Sequence, residues 1–85
     1  MENSLEEIEK LRENIDEIDF QIIDLLNKRI SICKEIGKVK FSKKIKVIDL
    51  KREKEVLDKA GNYRKIFENI IELCRKEQTD NMEKV

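Results

Sequence analysis

The amino-acid sequence predicts an all-α fold of three helices, one long and two shorter, on three observations. The 85 residues include no proline and only two glycines, so little interrupts a helix. Charged residues make up 45% and aromatics 5%, the balance of helices that bury a narrow stripe and solvate the rest. Apolar residues recur at spacings of three and four from Ile8 to Val39, the period of a helix face packed on another helix. The length fits one domain over residues 1–85.

Helix 1 is expected over about 4–41, with Ser4 as N-cap and Glu7 at the capping-box position. A helix of that length spans about 55 Å and needs a partner along it. A chain this short rarely builds a sufficient core alone, so the stripe is expected to be buried in an oligomer. Gly37 costs about 1 kcal/mol inside the helix; either a ligand or helix approaches closely there, or it is a tolerated surface glycine. Ser42 to Ile48 is basic and β-branched without a helical face, and reads as a loop. Asp49 is a good N-cap for helix 2, about 50–60. Gly61 suits the C′ position and Asn62 the next cap. Helix 3 is expected over about 63–78, with Ile66, Phe67, Ile70, Ile71 and Cys74 inward, and the polar tail 79–85 is expected to fray. The sequence has no internal repeat, low-complexity segment or linker.

Composition excludes several classes of function. Formal net charge is zero, so no global basic field awaits nucleic acid. An apolar run of about 18 residues and a signal-peptide core are both missing, which predicts no membrane partner and a cytoplasmic location. Cys33 and Cys74 are far apart and form no CxxC, so neither a disulfide scaffold nor a zinc site is expected. Histidine is absent, which removes the commonest general base and metal ligand. If the chain is an enzyme, its chemistry is expected to need no proton shuttle near neutral pH.

The informative residues are polar ones at inward positions. The stripe runs Ile8, Leu11, Ile15, Ile18, Ile22, Leu25, Arg29, Ile32, Ile36, Val39, so Arg29 falls on the stripe itself. A guanidinium on a buried seam costs several kcal/mol unless an anion meets it. Arg12 and Lys40 flank the stripe, each one residue past an apolar position. On helix 2, Arg52 lies one turn before Val56 and Glu53 one turn before Leu57; on helix 3, Gln78 lies one turn after Cys74. Taken singly, each charge reads as a solvated edge residue, Asp49 as a cap and Glu53 as ordinary helix pairing. Arg29 alone demands an explanation. Together, Arg12, Arg29, Lys40, Asp49, Arg52, Glu53 and Gln78 carry a cationic excess of about two, which suits a small dicarboxylate gripped by bidentate arginines. Arg12 and Lys40 are about 42 Å apart on one straight helix and cannot share a small ligand. Two long helices paired antiparallel would bring Arg12 of one chain to the Arg29–Lys40 region of the other, giving two identical sites.

Three groups of residues carry a resemblance to a known family. They are Leu11-Arg12-x-x-Ile15-x-x-Ile18-Asp19; Leu25-Leu26-x-x-Arg29 with Ile36-Gly37-x-x-Lys40; and Asp49-x-x-Arg52-Glu53 with Ile70-Ile71-x-x-Cys74-x-x-x-Gln78. Over about residues 5–78 the chain resembles the all-helical class of chorismate mutases. The resemblance implies an intertwined antiparallel homodimer that converts chorismate to prephenate in phenylalanine and tyrosine biosynthesis, without a cofactor. It implies that Arg12, donated across the interface, and Arg29 bind substrate carboxylates, and that Lys40 and Gln78 hydrogen-bond the ether oxygen. Glu53, with Asp49, would hold the ring hydroxyl, Arg52 would complete the polar wall, and Ile36, Val56 and Ile71 would pack on the ring. Two departures stand out: the connection Ala60-Gly61-Asn62 is short, and Cys74 replaces a frequent serine in the binding set. Isochorismate-pyruvate lyase of the same fold and a non-catalytic dimeric regulatory or interaction module are the alternatives. Asp49, Glu53 and Gln78 favour the mutase, because the lyase uses a more apolar pocket. A generic coiled coil leaves Arg29 and Gln78 unexplained.

Overall fold

The computed structural model describes residues 3–83, with side chains through residue 80. Helix α1 spans Ser4–Lys43, α2 Leu50–Ala60 and α3 Arg64–Glu83, with a single 3-10 turn, Gly61–Tyr63, between α2 and α3. Among the described residues there is no strand. The 40 residues of α1 make a rod of about 60 Å. This rod sets the long dimension of a 65 × 27 × 14 Å molecule.

Local chemistry sets most helix ends. The N-cap of α1 is Asn3, whose side-chain oxygen accepts the Glu6 N–H at 2.8 Å. Asn and Ser cap about equally well, and the expected cap, Ser4, becomes the first helical residue instead. At the other end Lys44 turns left-handed, at φ 57° and ψ 41°. Its N–H donates to the Phe41 carbonyl at 3.3 Å, and the Ile45 N–H donates to the Lys40 carbonyl at 2.8 Å. Those two bonds are the Schellman pattern, here with lysine where glycine is usual. Asp49 caps α2 by accepting the Arg52 N–H at 3.0 Å, and Gly61 ends it with φ 56°.

The α2–α3 connection and the end of α3 differ from expectation. Asn62 does not cap α3; it lies inside the 3-10 turn, and α3 starts at Arg64, whose N–H donates to the Gly61 carbonyl. Helix α3 then continues past Gln78, the expected end, to Glu83. Residues 79–83 are mostly polar but contain neither glycine nor proline, and extending a formed helix is far easier than nucleating one. Positions 84 and 85 of the expected tail lie outside the described residues.

Both α1 and α2 pack on α3, and their backbones do not closely approach each other. Cys33 and Gly37, one turn apart, are the buried residues of α1, with Leu26 and Ile30 half-buried on the same side. This face differs from the long stripe, whose Ile8, Leu11, Ile15, Ile18, Ile22, Leu25, Ile32, Ile36 and Val39 are exposed. Helix α1 is therefore apolar on two faces, and α3 takes only one. A Cys33–Cys74 disulfide fastens α1 to α3 with a Cα–Cα distance of 5.4 Å. Beside it Lys34 and Glu77 pair at 3.7 Å. The disulfide corrects the expectation that the two cysteines would not form a disulfide scaffold: spacing along the chain hid the fact that α3 returns alongside α1.

Candidate functional site

Because α1 and α2 lean on α3 without meeting, a cleft of about 330 Å³ opens between them. Arg29, Ile32, Cys33, Ile36 and Lys40 form the α1 wall. The α2 wall is Asp49, Arg52, Glu53 and Val56, and α3 contributes Ile71, Cys74, Arg75 and Gln78. Every residue expected at the site therefore lines one cavity except Arg12. That residue lies about 25 Å along α1 from Arg29. Its exposed side chain pairs with Glu9 at 3.3 Å.

The cleft presents fixed polar groups around an apolar patch of Ile36, Val56 and Ile71. Among the described residues no carboxylate neutralises Arg29; its Nη1 reaches the Cys33 Sγ at 3.7 Å. Partial burial, and then repulsion by Arg52, push the Arg29 guanidinium below its ordinary pKa. A cation so placed is stabilised by an incoming anion. Lys40 Nζ donates to the Val47 carbonyl at 2.7 Å, which ties the α1–α2 loop back to α1. Two of its three protons remain for a ligand. Asp49 spends one carboxylate oxygen on its cap, while Arg52 Nη1 meets Glu55 at 3.3 Å on the outer side.

Gln78 is buried, 6% exposed, an unusual state for a polar side chain. Its Nε2 donates one N–H to the Cys74 Sγ at 3.1 Å, and its Oε1 is buried without a partner. The second N–H of the amide is left for another acceptor. Cys74, in place of a hydroxyl, offers Gln78 a sulfur that accepts but cannot donate, because its valence is closed by the disulfide.

Three cleft residues were not expected from the sequence, Ile32, Cys33 and Arg75, and of these only Arg75 is charged. Its Nε donates to Glu53 Oε2 at 2.7 Å, and its Nη2 donates to Glu53 Oε1. The signal was present: Ile71, Arg75 and Gln78 repeat at four and three along α3. What was hidden is the partner, 22 residues away on another helix. Four cations, Arg29, Lys40, Arg52 and Arg75, face two carboxylates, Asp49 and Glu53, so the cleft carries an excess of two positive charges. Among the described residues no cluster of three metal-ligating side chains occurs, and no helix is long and apolar enough to cross a membrane.

A protein-family model described as chorismate mutase type II matches residues 11–79, a span that includes Arg12 and every cleft residue. The chain belongs to the chorismate mutase type II family. The chain matches only part of each of three curated relatives. A chorismate mutase from Methanocaldococcus jannaschii is 30% identical over 76 residues, 89% of this chain and 67% of that protein. A bifunctional chorismate mutase/prephenate dehydratase from Aquifex aeolicus is 38% identical over 55 residues, 65% of this chain and 15% of that protein. A 3-dehydroquinate dehydratase from Pyrobaculum aerophilum is 35% identical over 65 residues, 76% of this chain and 22% of that protein. The chain thus spans less than a quarter of those two relatives. Among solved structures, a conserved hypothetical protein from Pyrococcus furiosus superposes with a TM-score of 0.84 at 44% identity, covering 91% of this chain and 99% of that one. The cleft described above is therefore a feature of a type II family domain.

Proposed function

We propose that this domain is a chorismate mutase that rearranges chorismate to prephenate, acting as a two-fold dimer. The observation that carries the proposal is the cleft: Arg29, Lys40, Asp49, Arg52, Glu53, Arg75 and Gln78 converge from three helices around an apolar patch, with two positive charges in excess. Family membership supports the same reading. Chorismate is a dicarboxylate with one polar ring hydroxyl and one ether oxygen, and the cleft has a group for each.

In the reaction the enolpyruvyl C–O bond breaks as a C–C bond forms, within one molecule and without proton transfer. Catalysis then consists of holding the chair-like conformer and stabilising negative charge that grows on the ether oxygen. A gain of about 10⁶ in rate requires roughly 8 kcal/mol of differential stabilisation. One fixed cation and one amide donor at that oxygen, added to conformer selection, are of that order. In this reading Lys40 and the free N–H of Gln78 meet the ether oxygen. Arg29 takes a carboxylate, Glu53 and Asp49 take the ring hydroxyl, and Arg52 closes the polar wall. Ile36, Val56 and Ile71 pack on the ring. Asp49, Glu53 and Gln78 all line the cleft, which favours the mutase over the lyase of the same fold.

The dimer reading rests on shape and exposed surface. The radius of gyration is 18.0 Å. A compact domain of this length would have one of about 12 Å. The chain exposes 7489 Å², whereas a compact monomer of its mass would expose about 5,300 Å². The exposed stripe from Ile8 to Val39 is the surface a second α1 would cover, and antiparallel pairing would carry Arg12 of that copy to the open Arg29 wall.

The test follows chorismate absorbance with purified protein and identifies prephenate by its acid conversion to phenylpyruvate. Conversion is expected, and Arg29→Ala is expected to lower kcat/KM by about 10² or more, as when a charged partner of a bound carboxylate is removed. A folded protein that leaves chorismate untouched contradicts the proposal.

A further inference from the structure

We propose that Arg75 is a positioning residue that fixes the Glu53 carboxylate as acceptor for the substrate's ring hydroxyl; this rests on the mutase reading. Both Glu53 oxygens are held by one guanidinium, Oε2 by Nε at 2.7 Å and Oε1 by Nη2. A fork of this kind sets the carboxylate plane as well as its position, which a single donor or a lysine cannot do. The Glu53 side chain is 18% exposed and that of Arg75 37%, so the pair sits at the cleft wall rather than in open solvent. Each carboxylate oxygen keeps a second acceptor site, so Glu53 can accept a hydroxyl while Arg75 holds it. The pair also joins α3 to α2 across the wall that Glu53 shares with Arg52 and Val56.

Position matters because the hydroxyl is what separates one substrate orientation in the cleft from another. A carboxylate free to rotate would pair with Arg52 or Arg29 as readily as with a ligand. Arg75 removes that freedom before the substrate arrives, which is preorganisation in the sense that matters for kcat/KM.

The test measures kcat/KM for chorismate and for an analogue lacking the ring hydroxyl, in the parent, Arg75→Gln, Arg75→Lys and Glu53→Gln. Arg75→Gln is expected to lower the value for chorismate by about tenfold or more, and that for the analogue by about twofold or less. Arg75→Lys, with charge but no fork, is expected between parent and Arg75→Gln. Glu53→Gln is expected to show the same dependence on substrate, and adding Arg75→Gln to it to change little. The ratio of the two substrates is insensitive to the fraction of protein folded. Equal losses for both substrates would mean that Arg75 merely joins helices or binds a carboxylate, and would overturn the proposal; so would no loss for either. A parent inert toward chorismate overturns the mutase reading and this proposal together, whereas an active parent with equal losses overturns this proposal alone.

Discussion

Gln78 shows most plainly what one side chain contributes. An amide donates a hydrogen bond at any ordinary pH, so the parent is expected to have a flat kcat/KM profile where only Gln78 is concerned. Gln78→Glu should behave differently. Its carboxyl can donate only when protonated, and its ionised form would face an ether oxygen that is itself becoming negative. Activity of Gln78→Glu should therefore rise as pH falls and disappear as pH rises. Burial at a site 6% exposed disfavours the carboxylate while the cleft's cations favour it, so the midpoint of the profile reads the balance of the two. A kcat/KM profile of the two proteins checks this. Burial, and then Arg52, lower the Arg29 pKa from its ordinary value, but a guanidinium is basic enough that it is expected to stay charged through neutrality. That these side chains share faces was legible in the sequence because a helix converts spacing into position: Arg29, Ile36 and Lys40 follow one register, and Arg52, Glu53 and Val56 another. Arg75 follows a register equally well. Its meaning lay in the Glu53 contact, which depends on how α2 and α3 cross and is written in no single helix.

At the scale of elements, helix ends separate what was readable from what was not. Asp49 and Gly61 mark α2 because capping and positive φ are local requirements. Lys44 was not readable as a cap, because nothing about lysine favours the left-handed region in which it sits at φ 57°. Lys44→Gly is expected to stabilise the domain by about 0.5–1 kcal/mol, the left-handed penalty less the entropy glycine adds to the unfolded chain. Urea unfolding measures it. The Cys33–Cys74 disulfide closes a loop with a sequence separation of 41. In the chain-entropy account a loop of that size contributes about 4 kcal/mol. The double replacement Cys33→Ser, Cys74→Ser should therefore lower the urea midpoint substantially. Reductant should lower the parent's midpoint in the same direction and leave the replacement unchanged. An equal midpoint for parent and double replacement under oxidising conditions would contradict the disulfide's role.

For the whole molecule, the sequence already held the decisive mismatch: an apolar stripe far longer than a three-helix chain can cover. The structure sharpens it, since α3 takes the Cys33–Gly37 face and leaves the stripe exposed. What could not be read was that α1 is apolar on two faces, because the buried one is built from Leu26, Ile30, Cys33 and Gly37 and only the second half of the helix carries it. Sedimentation is expected to give about twice the 10.2 kDa chain mass. The central claim, that each cleft is completed by Arg12 of a second copy, is tested most directly by mixing inactive variants. Arg12→Ala and Arg29→Ala each spoil both sites of their own dimer. Refolded together in equal amounts, half of the dimers would be mixed, and each mixed dimer would hold one site with both arginines. About a quarter of parental activity should return. No recovery, in a mixture shown to contain mixed dimers, would contradict a site shared between two chains.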